Sequence, residues 1–310
     1  MSKKSDKKPF YIGGQAVIEG VMMRGKTLYA MAVRNSSGDI VVEKEKIDGA
    51  VYTNPFFKLP IIRGIVSFVT SLVIGTKILM RSAEIAGDDI AEDEEPSKFE
   101  KFLQDKFGEK FNDILIYFSV AVSLIMGIAI FFLLPTFLGS FFKSLIPTWA
   151  LGIIEGILRI VIFLIYIFII SRMKEIQRVF QYHGAEHKTI NCYESGEELT
   201  VENIKKHTRL HKRCGTSFLF IVMLVSMVLF VFVRVDTIWL RMLSRLLFVP
   251  LVAGISYEII RWAGSSDSPL VKIVSLPGFC IQKITTAEPD GKQIETAVAA
   301  LKGVLEDDPE

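Results

Sequence analysis

Several residue types that mark common protein classes are rare in this sequence. Only three of the 310 residues are cysteine, too few for a disulfide framework, which suits a reducing compartment. The net charge is only +2 and no nucleic-acid-binding motif is present, so nothing indicates a nucleic acid partner. The start of the chain, MSKKSDKKPF, leads into polar, glycine-rich sequence without an apolar run, which argues against a cleaved signal peptide.

Apolar residues are abundant instead. They make up 50% of the chain, and the mean hydropathy of +0.40 predicts an integral membrane protein that is mainly α-helical. Residues 114–134, 149–171 and 215–233 each supply about 20 mostly apolar positions, enough to cross the hydrocarbon core. A further span lies between residues 238 and 262 and is interrupted by Pro250. The sequence therefore predicts about four transmembrane helices within a lipid bilayer.

Residues 60–81 are apolar but carry a polar stripe. At about 100° per residue, five polar side chains fall on one helical face. These are Arg63, Ser67, Thr70, Lys77 and Arg81. Such a helix is predicted to lie in the membrane interface, to re-enter, or to pack against partners rather than to span alone. The acidic residues 84–109 that follow are expected to be solvated.

The first part of the chain has the pattern of a small β-rich element. Short apolar runs flank the sequence NSSGD at residues 35–39, which is typical of a hairpin turn. The preceding stretch GGQAVIEGVMMRG, residues 13–25, combines four glycines with Gln15, Glu19 and Arg24. Its glycines would let the backbone approach a ligand closely, and Arg24 could hold an anion. The alternative is a strand edge with a surface ion pair.

Charge bias predicts the orientation of the chain. Nine lysines and arginines lie between residues 172 and 213, whereas residues 135–148 contain only Lys143. The histidine-containing segment and both termini are therefore expected in the cytosol. The protein is expected to be a multi-pass protein of the cell membrane. Arginines at positions 234, 241 and 245 count against this orientation, and a spanning helix at 60–81 would reverse it.

These patterns divide the chain into four regions. Residues 1–58 form the soluble β-rich element, and residues 59–113 form the interfacial or re-entrant helix with the acidic segment. Residues 114–262 form the transmembrane bundle, which includes a cytosolic histidine-rich loop at 172–214. Residues 263–310 form a cytosolic tail, in which Pro289 and Asp290 begin an amphipathic docking helix.

All four histidines lie between residues 183 and 211, at the edge of the predicted membrane region. His183 and His187 are four residues apart, so a helix would place both imidazoles, and Glu194 further along, on one face. Two such imidazoles commonly hold zinc. With Glu186 they form the pattern H-x-x-E-H, in which the glutamate is a general base toward a water that the metal activates. The alternative is an ordinary surface histidine pair.

The second histidine pair repeats the same spacing. His207 and His211 are four residues apart, and Cys214 would follow on their face one turn later. Two helices with facing ligands could thus build a single site for a divalent transition metal, most simply zinc. Glu258, at the predicted cytosolic end of the last span, could add a ligand or could pair with Arg261.

Two charged residues lie within a predicted span. Glu155 and Arg159 are four residues apart and are expected to form an ion pair inside the membrane. The alternative is a role in a substrate pathway.

The chain resembles the YqhQ-like family of bacterial membrane proteins, a family of unknown function described as metal-dependent enzymes. The segments that carry the resemblance are GGQAVIEGVMMRG at 13–25, FQYHGAEHKTINCYE at 180–194, HTRLHKRCGTSF at 207–218 and TTAEPDGKQIETA at 285–297. It implies a bacterial inner-membrane location and assigns no reaction. The motif residues that it marks for testing are Gln15, Glu19, Arg24, His183, Glu186, His187, His207, His211 and Cys214.

The sequence favours a zinc-dependent hydrolase at the cytosolic membrane surface, with Glu186 as its base. Its substrate would be a membrane protein or peptide, or a lipid-linked molecule. The alternative is a scaffold, assembly factor or regulator whose histidine segment is a structural metal site, which would be closed by four protein ligands. A transporter is a third hypothesis, but no inverted repeat supports it.

Overall fold

A computed structural model describes residues 12–47, 54–87, 111–233, 235–266 and 268–307. The chain is mostly helical with a small N-terminal antiparallel sheet. It divides into two compact units. The first joins Met1–Asp88, Ile165–Val225 and Pro250–Glu310, and the second joins Asp89–Leu164 and Ser226–Val249.

The sheet confirms the predicted β-rich element. Its four antiparallel strands, in the order of the chain, are β1 (Gly13–Val17), β2 (Gly20–Arg24), β3 (Leu28–Arg34) and β4 (Ile40–Lys46). The hairpin turn between β3 and β4 lies where NSSGD predicts it. Gly38 donates its N–H to the carbonyl of Asn35 at 3.0 Å and has a φ of +90°, which favours glycine.

The structure has eleven α-helices within its described ranges. They are α1 (Ile62–Ala86), α2 (Phe111–Ile128), α3 (Leu134–Ser140), α4 (Thr148–Ile170), α5 (Lys174–Ser195), α6 (Val201–Lys206), α7 (Gly215–Phe232), α8 (Ile238–Leu247), α9 (Val249–Ser265), α10 (Pro269–Thr285) and α11 (Gly291–Asp307). A short π-helical segment, Ala129–Leu133, joins α2 to α3.

Both faces of the sheet are buried within the first unit. Alternate strand residues such as Met23 and Ala30 pack with Leu301 of α11 and with α5, whereas Met22 and Met31 on the opposite face pack with α1. Burial on both faces explains why β2 and β3 read as nearly continuous apolar runs.

Helix α1 occupies the segment predicted to be interfacial or re-entrant, and it is continuous over 25 residues. Its polar stripe contacts partners, as one of the three predicted alternatives requires. Lys77 and Arg81 bind Glu45 and Glu43 of β4 at 2.7 and 2.6 Å. The whole helix is long and apolar enough to cross a membrane.

Four described helical stretches have the length and composition of a membrane span. They are Ile62–Ala86, Phe118–Ser140, Trp149–Ile170 and Gly215–Phe232. The last three correspond to predicted spans. The span predicted between residues 238 and 262 is a pair of helices, α8 and α9, bent by 44°. The bend lies close to Pro250, where the sequence predicts an interruption.

The second unit buries an ion-pair cluster. Glu155 on α4 is fully buried and pairs with Arg241 and Arg245 of α8, at 3.3 and 3.0 Å. The ion pair predicted between Glu155 and Arg159 does not form. Arg159 instead donates to the carbonyl of Phe131 in the π-helical segment and to Ser226, both at 2.7 Å. Arg241 and Arg245 are four residues apart on one face of α8, so both reach Glu155.

Two predicted boundaries need correction. Residues 172–214 are not mainly a loop, since α5 and α6 occupy most of them. The C-terminal tail contains α10 as well as the predicted amphipathic helix. Helix α10 begins at a Ser268 cap and contains Pro277, which obscures its helical pattern in the sequence. Residues 88–110 of the predicted acidic segment lie outside the described residues.

The predicted docking helix is α11, and its first turn is capped. Asp290 accepts from the N–H of Gln293 at 2.8 Å, and the Gln293 side chain accepts from the N–H of Asp290 at 2.9 Å. This reciprocal arrangement is a capping box. It sets the position of α11 against the sheet and α5.

Candidate metal centre

Three potential metal ligands meet at the middle of α5. His183 and His187 lie on one face of this helix, with ring centres 4.4 Å apart. Cys214 immediately precedes α7, and its sulfur lies 3.2 Å from Nε2 of His183. One ligand atom from each of the three residues lies within 4.8 Å of the others. We call these residues the His-His-Cys cluster.

Backbone carbonyls orient both imidazoles. Nδ1 of His183 lies 2.8 Å from the carbonyl of Thr285, and Nδ1 of His187 lies 2.6 Å from that of Arg209. Because a carbonyl only accepts, each Nδ1 carries the proton and each Nε2 presents a lone pair. Metal-bound histidines are commonly held in this way.

The second imidazole has an unused acceptor. Nε2 of His187 is buried and has no hydrogen-bond partner among the described residues. Burial lowers the pKa of His187, which favours the neutral form that binds metals. A buried lone pair beside a thiol and a second imidazole fits a transition metal such as zinc, which accepts nitrogen and sulfur ligands.

Glu186 lies beside this cluster in a cavity of about 280 Å³. Its side chain is 5% exposed, and within the described ranges it has no hydrogen-bond or ion-pair partner. Burial raises the pKa of Glu186 to about 7, while His183 acts in the opposite direction. The carboxyl group can therefore bind or release a proton near neutral pH. The cavity is also lined by His183, His211 and Cys214.

The glycine-rich segment of β1 forms one wall of the cavity. A Cβ atom at Gly14 would lie 2.6 Å from Oε1 of Glu186, so only glycine fits there without displacing the carboxyl group. Gln15 packs against Gly75 of α1 in a similar way, with 2.8 Å between Oε1 and a Cβ at position 75. The backbone at Gly14 therefore approaches the Glu186 side chain closely, and the predicted approach to a ligand stays a prediction.

The other two polar residues of that motif lie away from the cavity lining. Glu19 pairs with Arg178 and accepts from the hydroxyl of Tyr182 at 3.3 Å. Arg24 ends β2. The ion pair of Glu19 agrees with the alternative interpretation of the motif, in which these charges stabilise the strand edge.

His211 and Glu194 lie next to the cluster and contact each other. Nε2 of His211 is 3.6 Å from Glu194, which also binds Arg213. The ring of His211 lies 5.6 Å from that of His187. Burial alone would raise the pKa of Glu194, but His211 and Arg213 outweigh it and lower the value. Glu194 is therefore engaged as a carboxylate by His211 and Arg213.

Two further candidate ligands are separated from the cluster. His207 caps the end of α6 and lies 3.4 Å from Glu197, and with Cys192 these residues form a second group of possible ligands within 4.8 Å. Glu258 binds Arg63 of α1. The equal spacing of the two histidine pairs does not produce one shared site, because residues 207–211 are not helical.

The sequence patterns gave no signal for the residues that hold the segment before α7. The side chain of Gln282 on α10 is fully buried. It accepts from the N–H of His211 at 2.8 Å and donates to the carbonyl of His211 and to Ser217, both at 2.9 Å. These bonds position the backbone that carries Cys214. Gln282 falls in a helix that the sequence does not predict.

Gly184 has a packing role within α5. A Cβ at this position would lie 2.0 Å from the carbonyl oxygen of Ala287. The N–H of Ala287 donates to Phe180 of α5 at 2.8 Å. The glycine that weakens the helix in isolation thus allows the segment after α10 to contact α5, next to the Thr285 carbonyl that binds His183.

Comparison with known proteins gives a family. The family model described as "Protein of unknown function (DUF1385)" matches residues 59–307. The chain is 37% identical over 305 residues to "Uncharacterized protein YqhQ" of Bacillus subtilis (strain 168), covering 96% of this chain and 93% of that protein. No solved structure matches the chain. The chain therefore belongs to the DUF1385 family, as its resemblance to YqhQ-like proteins predicts.

Proposed function

We propose that this protein is a metal-dependent membrane hydrolase whose reaction takes place in the cavity beside the His-His-Cys cluster. The supporting observation is the position of Glu186. This buried carboxyl group has no partner in the described part of the chain and shares a cavity with His183 and Cys214. A structural metal site would not need an unpaired carboxyl group beside it, since burying such a group is energetically unfavourable.

The metal would be held by Nε2 of His183, Nε2 of His187 and the sulfur of Cys214. Three protein ligands and an adjacent cavity are the arrangement found in catalytic zinc sites, whereas structural sites are closed by four. When bound, zinc would supply Lewis acid chemistry and make water more acidic. The carbonyls of Thr285 and Arg209 keep the two imidazoles in the required tautomer.

Glu186 would act as the proton carrier. Its carboxylate takes a proton from water while the water oxygen forms a bond to the electrophilic carbon or phosphorus of the substrate. As the bond to the leaving group breaks, Glu186 returns that proton to the departing oxygen or nitrogen. Burial raises the pKa of Glu186 to about 7 in the metal-free protein, and a metal cation nearby would lower it, which favours the carboxylate that accepts the first proton.

The charge bias around residues 172–213 favours the cytosolic side of a bacterial inner membrane for this site. We propose cytosolic termini with four spans, which are Phe118–Ser140, Trp149–Ile170, Gly215–Phe232 and the bent pair of α8 and α9. A spanning α1 would be a fifth span and would place the two termini on opposite sides.

The competing proposal is a scaffold, assembly factor or regulator with a structural metal. It gains support from the proximity of His211 and Glu194, either of which could close a fourth position. The two proposals differ in whether Glu186 is required for anything beyond folding.

The test is elemental analysis of the full chain purified in detergent. We expect about one equivalent of zinc or another transition metal, lost in His183→Ala and His187→Ala. His207→Ala is the matched control, because the same residue type is removed from the same segment away from the cluster. Glu186→Gln should keep the metal.

Two results would contradict the hydrolase. One is the absence of metal even after incubation of the purified chain with zinc. The other is a Glu186→Gln variant that hydrolyses ester and phosphoester lipids as fast as the wild type. A closed site with four protein ligands, seen by X-ray absorption, would favour the scaffold instead.

A further inference from the structure

A second cavity, of about 520 Å³, lies between α1, α7 and α9 of the first unit. Its exposed wall is mostly apolar and includes Phe68, Leu72, Phe218 and Leu219. Leu72 and Leu219 are 47% and 45% exposed. We call this cavity the α1–α7 groove. Because α7 has the length and composition of a membrane span and the groove side of α1 is also largely apolar, acyl chains are the medium expected at this groove in a bilayer.

The groove is adjacent to the reaction cavity. The two cavities have five lining residues in common, which are Gln15, Arg213, Cys214, Gly215 and Leu219. Cys214 belongs to the His-His-Cys cluster, so the candidate metal centre borders the groove. The buried carboxyl group of Glu186 lines the reaction cavity on the other side of these shared residues. One molecule could therefore occupy apolar surroundings along α1 and reach Glu186 at its polar end.

We propose that the α1–α7 groove binds the acyl chain of a lipid, and that the lipid's polar linkage lies in the cavity beside Glu186. The substrate class is then an acyl lipid with a hydrolysable ester, amide or phosphoester bond near its headgroup. The assignment of that lipid as a substrate rests on the proposed function, whereas the binding of the chain does not.

An acyl chain fits the groove better than a peptide does. An extended peptide in a mostly apolar groove would need partners for every backbone N–H and carbonyl, and an unmet group costs several kcal/mol in hydrocarbon surroundings. Hydroxyls of α1, at Ser67, Ser71 and Thr76, are the polar groups along that wall. A hydrocarbon chain needs no such partners, and its headgroup would meet the polar residues Gln15 and Arg213.

The test is photo-crosslinking of the full chain in detergent with a lysophosphatidylglycerol that carries a diazirine in its acyl chain. Labelled positions are mapped by mass spectrometry, and the metal content of each sample is measured in parallel. Ser71→Trp fills the groove. Val73→Trp is the matched control on the same helix, since Val73 is 63% exposed and does not line the groove.

We expect labelling at Leu72, Leu79 and Phe218, reduced about tenfold or more in Ser71→Trp because the groove is overpacked, and unchanged in Val73→Trp. Equal labelling of Val69 and Val73, or no effect of Ser71→Trp, would overturn the proposal. Stronger competition by an apolar peptide than by unlabelled lysolipid would also overturn it, in favour of a peptide.

The metal measurement separates the two proposals. If the groove is labelled in a protein that binds no metal, the lipid site stands and the hydrolase fails. If the metal binds at the His-His-Cys cluster but the groove residues are not labelled, the proposed lipid site is wrong and the proposed hydrolase is unaffected.

Discussion

Nε2 of His183 lies 3.2 Å from the sulfur of Cys214, although 31 residues separate them in the chain. The contact joins the middle of α5 to the start of α7 and places a thiol among two imidazoles. Cysteine at this position predicts a sulfur ligand to the metal. The sequence motif H-x-x-E-H gives no indication of that third ligand.

Replacement of Cys214 should change the absorption spectrum of the metal-substituted protein. In cobalt-substituted protein we expect a near-ultraviolet sulfur-to-cobalt charge-transfer absorption that disappears in Cys214→Ser. Cys280→Ser is the control, since Cys280 is exposed. An unchanged spectrum in Cys214→Ser would remove Cys214 from the proposed ligand set.

The titration of Glu186 should be visible in the stability of the metal-free protein. Burial raises the pKa of Glu186 from 4.5 to about 7. Between these pH values the unfolded chain releases this proton and the folded chain keeps it. The free energy of unfolding should therefore fall by about 3 kcal/mol from pH 4.5 to 7 and stay level above.

Glu186→Gln should remove this component of the pH dependence. Thermal unfolding in detergent with a chelator, at pH 5 and pH 8, measures it as the difference between wild type and variant. The wild type should lose more stability than the variant as pH rises. Equal losses in the two proteins would mean that Glu186 is not buried as an unpaired acid.

Adjacent glycines in β1 should respond differently to alanine. Gly14→Ala places a methyl group against the carboxyl of Glu186, whereas a Cβ at Gly13 meets nothing within 4 Å. We expect Gly14→Ala to lower the free energy of unfolding by about 1–3 kcal/mol and Gly13→Ala to be nearly neutral. Thermal unfolding of the two variants tests this, and equal effects would contradict the described cavity wall.

Gln282 should affect metal binding without contacting the metal. Its side chain binds the backbone of His211, so Gln282→Ala should loosen the segment that carries Cys214. We expect roughly 10- to 100-fold weaker zinc binding, as for other residues that orient ligands. Competitive titration with a zinc-sensitive dye measures it.

The matched control is Gln293→Ala. Gln293 is also a buried, hydrogen-bonded glutamine, but it binds Gln181 and Asp290. Both variants should be less stable by about 1–3 kcal/mol, and only Gln282→Ala should weaken zinc binding. Similar zinc affinities in the two variants would exclude the positioning role.

Removal of Glu155 should be costly in the second unit. Glu155→Ala leaves the guanidinium groups of Arg241 and Arg245 buried without their carboxylate. We expect a loss of about 3–5 kcal/mol. Glu43→Ala is the control, because its pair with Arg81 is exposed and should contribute under about 1 kcal/mol. A small effect of Glu155→Ala, measured by thermal unfolding in detergent, would contradict the buried cluster.

Short-range sequence patterns correctly predicted those features whose interacting residues are close together in the chain. The hairpin turn at Gly38, the capping of α11 at Asp290 and the i, i+4 imidazoles on α5 all depend on backbone geometry within a few residues. The apolar length of the spans depends only on composition. The family follows from the same local motifs, because they are long enough to be specific.

The membership of the candidate site depended on long-range packing. His207 has the same spacing to His211 as His183 has to His187, yet only His183 and His187 lie on a helix, and the chain turns after α6. The spacing of Glu155 and Arg159 predicted an ion pair that does not form. The partners of Glu155 are two arginines of α8, which are distant in sequence.

The sequence by itself therefore determined the mostly helical, apolar character of the chain, its N-terminal sheet and the histidine pair of α5. Only the tertiary structure decided that Cys214 completes the cluster, that Gly14 borders Glu186 and that Glu258 binds Arg63. Helices and turns are specified by hydrogen bonds between nearby residues, whereas a site is assembled from segments whose contacts depend on how the whole unit packs.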